Sequence, residues 1–133
     1  MRYFICALDG ICLGIPAEKT ERIIPVIREQ TAVYETEGGE AYVSLPALFR
    51  LKDTATPHGV ALKQTAEGGA AKTVLLTPPI DIDVEIPDDE IQNLPDVFGG
   101  LFGCFTGAYF IKETVILLLN TDTLIETLNR WKK

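Results

Sequence analysis

The sequence GCFTGAYFIKETVILLLNTDTLIETL, residues 103–128, reads as one complete supersecondary unit. Cys104 to Phe110 is an extended run with aromatics at every few positions, and the polar pair Lys112-Glu113 supplies a reversal. The apolar run Val115-Ile116-Leu117-Leu118-Leu119 follows. It is long enough for one strand and too short to span a bilayer. A strand apolar on both faces belongs inside a sheet, covered on each side. Asn120-Thr121-Asp122 then offers short polar side chains that accept hydrogen bonds from the exposed N–H groups of a helix start. Leu124, Ile125 and Leu128 continue at helical spacing. The stretch predicts a hairpin, a buried strand and a capped terminal helix. It is a core signature with no chemistry in it.

Around this unit the chain is short, apolar and acidic. Its 133 residues hold one domain, or two small subdomains sharing a core. A hydrophobic content of 47% is enough to build that core and excludes a disordered chain. Nineteen acidic against twelve basic residues give a net charge of −7. That balance argues against nucleic acid and anionic membranes as partners, because phosphate binding needs clustered lysine and arginine. Cys6, Cys12 and Cys104 form no CxxC pair, and an odd count fits reduced thiols. One histidine leaves little for metal ligation. Met1-Arg2-Tyr3-Phe4 passes straight into a strand pattern. The expectation is therefore a cytoplasmic domain with no signal peptide, no membrane insertion and no cofactor.

Turn chemistry punctuates the rest. Tyr3–Leu8 and Ile11–Ile15 flank Asp9-Gly10, the favoured two-residue hairpin turn, and Pro16 ends the second strand. Ala17 to Thr20 can make about one helical turn. Pro25 within the next apolar run predicts an edge strand or a bend. Thr31–Thr36 and Ala41–Leu45 are β-prone around the turn Glu37-Gly38-Gly39-Glu40, and Leu45 to Leu51 reads as a helical turn laying Leu48 and Phe49 on a core. The polar, helix-poor segment Asp53 to Pro57 is the expected subdomain boundary. His58–Lys63 and Lys72–Thr77 are strands joined by a Gly/Ala-rich loop. Ile80 to Ile86 alternates strictly, with Asp81, Asp83 and Glu85 on one face. Asp88-Asp89-Glu90 opens a short helix or turn, and Leu94 to Gly103 is a Gly/Pro/Phe loop. The resulting fold class is all-β with short helices, in two barrel-like halves with a C-terminal helix, and no fixed-period repeat is visible.

Catalytic constellations are missing. The acidic strand offers carboxylates two residues apart on an exposed face, whereas glycoside hydrolysis needs two of them across a cleft. His58 has no nucleophile elbow near it, since GxSxG is absent. The glycine pairs at 38–39, 68–69 and 99–100 are turns, with neither a GxGxxG nor a Walker pattern. The cysteines read as small buried hydrophobes. No catalytic, cofactor-binding or metal-binding residue is assigned, and the chain is read as no enzyme.

The order of elements nevertheless resembles a known family. YFICALDGICLGIPAEKTERII at the start is similar to the opening of CheW-like domains, the coupling proteins of bacterial chemotaxis. SLPALF resembles the family's apolar-Asp-Leu-x-x-x-Phe segment, and FTGAYFIKETVILLLNTDTLI resembles its closing strand and Leu-Asp-x-x-x-Leu pattern. The resemblance implies a single domain over residues 1–133, built of two SH3-like five-stranded barrels that share a hydrophobic seam. It implies a non-catalytic adaptor, a scaffold of signal transduction working through protein-protein interaction. Its expected partners are the regulatory domain of a chemotaxis histidine kinase and the cytoplasmic tip of a chemoreceptor. Carried over by position, the partner-binding candidates are Arg22, Ile24, Val43, Leu48 and Phe49, with burial in the core as the competing reading for the four apolar ones.

The chain also departs from the pattern. Gly38-Gly39-Glu40 stands where the family carries an Arg-Gly turn, and Ala41 to Leu45 lacks the usual proline and aspartate. Arg22 occupies a typical glutamate position. These differences motivate an alternative, a diverged CheW-like interaction or regulatory domain outside chemotaxis. A third reading is a small hydrolase or lyase using Asp81 to Glu85, and a nucleic-acid-binding SH3-like barrel ranks below it on charge.

Overall fold

The computed structural model describes residues 1–8, 10–26, 30, 32–49, 55–63, 72–93 and 105–131. These residues form ten strands: β1 (Arg2–Leu8), β2 (Ile11–Pro16), β3 (Thr20–Pro25), β4 (Tyr34–Glu37), β5 (Glu40–Ser44), β6 (His58–Leu62), β7 (Lys72–Thr77), β8 (Ile80–Glu85), β9 (Phe105–Ile111) and β10 (Thr114–Leu119). Helix α1 covers Leu45–Leu48 and α2 covers Thr121–Trp131, with 3₁₀ turns at Ala17–Lys19 and Asp88–Glu90. The predominantly β class expected from the sequence is the one found. The two glycine-rich loops, residues 67–71 and 94–103, and Cys104 lie outside the described residues.

The strands make two five-stranded sheets in two compact units. The first unit is Met1–Glu18 with Asp81–Lys133, and the second is Lys19–Ile80. The chain thus divides at two points, and the segment from Ala55 to Pro57 lies inside the second unit instead of between halves. The reason is topological. A parallel strand pair needs a crossover, and β10 pairs parallel to β2. The crossover between them carries the whole second unit.

In the first unit the order is β8-β1-β2-β10-β9. β1 and β2 pair from Leu8↔Ile11 to Tyr3↔Pro16 across a turn whose Gly10 has φ +85°. β10 is interior, as its composition predicts, with Leu118 and Leu119 fully buried. One face carries Tyr3, Ile5, Ile116 and Leu118, closed by Ile86 from the end of β8. Gly14 is needed there: a Cβ would lie 2.9 Å from Leu118 Cδ2. Ile91 and Gln92 then reach the opposite edge, where Gln92 and Ala108 exchange backbone hydrogen bonds of 2.8 and 2.9 Å. The stretch from β8 to Gln92 therefore touches both edges of the sheet.

In the second unit the order is β3-β6-β7-β5-β4, with β5 parallel to β7. β3 is an edge strand, as Pro25 requires. Gly38 (φ +59°) and Gly39 (φ +81°) supply the two positive dihedrals of the β4–β5 turn. Taken as β8, β9, β10, β1, β2, the first unit repeats the order of β3, β4, β5, β6, β7, parallel pair included. β5 and β10 each lead into a capped helix. Ser44 Oγ accepts from Ala47 N–H before α1, and Asn120 Oδ1 accepts from Thr123 N–H before α2.

Candidate functional site

The five candidate residues all lie in the second unit, and the register shows which of them can act together. β3 places Arg22 opposite Ala61 and Ile24 opposite Gly59 on β6. Those two are opposite Val74 and Leu76 on β7, which in turn face Tyr42 and Ser44 on β5. Directly paired residues share a face. Arg22 and Ile24 therefore stand on the same sheet face as Tyr42. Val43, one residue on, belongs to the opposite face with Leu75 and Val60. The set does not converge into one patch.

Burial separates the residues further. Arg22 is exposed, Ile24 and Phe49 are half-buried, and Val43 and Leu48 are buried. Leu48 sits on α1, which packs against β5 and β7, and the Phe49 N–H closes that helix on Leu45 and Pro46 carbonyls. The face bearing Ile24 is built around small residues. A Cβ at Gly59 would come within 2.6 Å of Val26 Cγ2 and 3.3 Å of Ile24 Cγ1. Glycine lets Val26 and Ile24 lie flat over the sheet beside Ala61 and Val74. Beside Arg22, Glu21 accepts from Lys72 Nζ at 2.6 Å. This hydrogen bond, opposed by desolvation and aided by the fields of Lys72 and Arg22, holds the Glu21 carboxyl below its ordinary range.

Asp83, Glu85 and His58 are engaged structurally, while the side chain of Asp81 lies outside the described residues. Asp83 is 2.7 Å from the Arg2 guanidinium, and Glu85 is 2.8 Å from the Met1 amino group. Arg2 also lies over the Phe4 ring, 5.8 Å from its centroid. Both carboxylates are thus cross-strand surface ion pairs, not a facing pair across a cleft. His58 Nδ1 accepts the Ile80 N–H at 3.0 Å, which braces the link between β7 and β8. Cys6 is buried and Cys12 half-buried, neither in a disulfide. Among the described residues no group of three or more His, Cys, Asp or Glu side chains could hold a metal ion, and no helix is long and apolar enough to cross a membrane.

One residue was not singled out by sequence reasoning. Phe110 belongs to the aromatic run read as core, and Phe105 and Ala108 are indeed buried, yet Phe110 is 55% exposed. Its place two residues before the Lys112-Glu113 reversal is the available signal, because strand ends at a hairpin tip run out beyond the core.

No family model matches the chain, and no curated protein matches it in sequence. Its fold is known, however. A crystal structure of the scaffolding protein TtCheW from Thermoanaerobacter tengcongensis is similar to it with a TM-score of 0.67, over 89% of this chain and 82% of that one. The two are 10% identical, so the likeness is one of fold.

Proposed function

We propose that the chain is a CheW-like adaptor of bacterial chemotaxis, a non-catalytic scaffold in the cytoplasm that couples a chemoreceptor to a histidine kinase. The observation that carries this reading is the fold likeness to a CheW scaffolding protein along 89% of the chain. The ordered resemblance of its opening and closing segments to CheW-like domains supports it from the sequence side. On this reading residues 1–133 are one CheW-like domain, and each sheet is an SH3-like barrel. The bridge from Gln92 to Ala108, which links the far edge of the first sheet to the chain leaving β8, favours barrel closure. Arg22, Ile24 and Phe49 are assigned to partner contact, with Val43 and Leu48 holding that region in shape from inside.

A pull-down with the regulatory domain of each histidine kinase and the cytoplasmic tip of each chemoreceptor from the same genome tests the proposal. Retention of either supports it, and failure to retain any of them sinks it. The second reading, a CheW-like interaction domain serving another pathway, is favoured by the Gly38-Gly39-Glu40 turn. Both glycines there are used for backbone geometry, and the family's arginine is absent. A protein partner from outside chemotaxis, with no binding to kinase or receptor, would establish it.

A further inference from the structure

Among the described residues, the edge of β9 beyond the Gln92 bridge combines three features. First, Ala108 exchanges both its N–H and its C=O with Gln92 on the side away from β10. Backbone groups alternate along an antiparallel strand, so Phe110, two residues on, also points its N–H and C=O away from β10. Second, the bridge to Gln92 is isolated. Glu90, where a ladder would continue, is held in the 3₁₀ turn by its bond to the Pro87 carbonyl. Third, Phe110 is the most exposed large apolar side chain among the described residues. The outward N–H and C=O of Phe110, past the end of the bridge and beside its own exposed ring, offer a place for strand addition to begin.

Charge selects the occupant. The exposed carboxylates of Asp88, Asp89 and Glu90 precede the bridge, and desolvation, helped by the Glu90 charge, raises the pKa of Tyr109, the residue before Phe110. Glu113 lies at the hairpin tip, next to Lys112. A second copy of this chain, at net charge −7, would set those carboxylates against their own kind. We propose that the Phe110 segment of β9 takes up an extended, lysine- or arginine-bearing strand of a protein partner by backbone pairing, with Phe110 as its apolar anchor. The inference deepens the adaptor reading and rests on it for the existence of a protein partner.

The test uses the full chain and a capped hexapeptide alternating lysine and valine, with the glutamate–valine peptide as its counterpart. Fluorescence anisotropy at low salt should show the basic peptide binding. The affinity should fall about tenfold or more with Phe110→Asp, as expected for an apolar anchor. N-methylation of alternate amides in the peptide should abolish binding while leaving its charge intact. Phe110→Ala, with unchanged circular dichroism, should fall between wild type and Phe110→Asp. Equal binding of the acidic peptide, indifference to Phe110→Asp, or indifference to N-methylation would each overturn the proposal, as would concentration-dependent dimerisation through the same edge. No kinase or receptor enters this assay, so its failure leaves the pull-down result standing.

Discussion

At the scale of single residues, Val43 and Arg22 separate support from surface. Both were candidates by position, yet Val43 is fully buried among Val60 and Leu75 on one sheet face, and Arg22 stands in water on the other. Val43→Ala should cost about 2 kcal/mol of stability, through lost burial and an unfilled cavity. Arg22→Ala should stay within about 0.5 kcal/mol, as exposed substitutions do. Urea denaturation checks both, and a large loss at Arg22 would reassign it to the fold. A different residue-scale effect operates at Lys112, which adopts φ +52° in the β9–β10 reversal. A side chain there meets the following carbonyl, at about 1–2 kcal/mol. The equivalent turn of the second unit uses Gly38 and Gly39. Lys112→Gly should therefore raise stability by up to about 1 kcal/mol after the added chain entropy of glycine. A lower melting temperature would contradict this account.

At the scale of elements, legibility follows the range of the interactions. Gly10 makes its turn from the two-residue Asp-Gly signal, and β10 announces itself as an interior strand through five consecutive apolar residues. Asn120 caps α2 as its side chain suggests, and Asn120→Ala should remove about 1 kcal/mol, against less for Ser44→Ala because α1 is a single turn. Thermal melts of the two variants compare them directly. What the sequence does not carry is the pairing of distant strands. Nothing local in Ile116-Leu117-Leu118 states that they lie parallel to Cys12-Leu13-Gly14, about a hundred residues earlier, so sequence alone points to the polar linker as the boundary. The candidate site suffered from the same gap. Ile24 and Val43 are both apolar strand residues, and only the intervening strands β6 and β7 put them on opposite faces. Phe110 escaped notice because an aromatic in a hydrophobic run looks the same whether the sheet continues past it or stops.

At the scale of the whole molecule, the repeated strand order means two similar scaffolds carry different charges, and pH should reach them from opposite ends. In the first unit, burial pushes the Tyr3 phenol above its ordinary value of 10.0, with Asp88 and Glu18 adding to the effect. Desolvation and the Glu90 carboxylate do the same to Tyr109. A raised folded value contributes stability in full below the unfolded value and loses it as pH climbs through the folded one. In the second unit the Glu21 carboxyl, held below 4.5 by Lys72, contributes above that value and loses its share as pH falls through the lowered one. This pair is exposed, so its share is small and fades with salt. Hydrogen exchange of the full chain across pH should thus show β1 and β9 opening first on the alkaline side, in step with tyrosinate absorbance. On the acid side the β3 edge should loosen first at low ionic strength, and Glu21→Gln should erase that difference. Uniform opening of both sheets at alkaline pH would mean that the two units share one cooperative transition, and that Tyr3 and Tyr109 destabilise the chain as a whole.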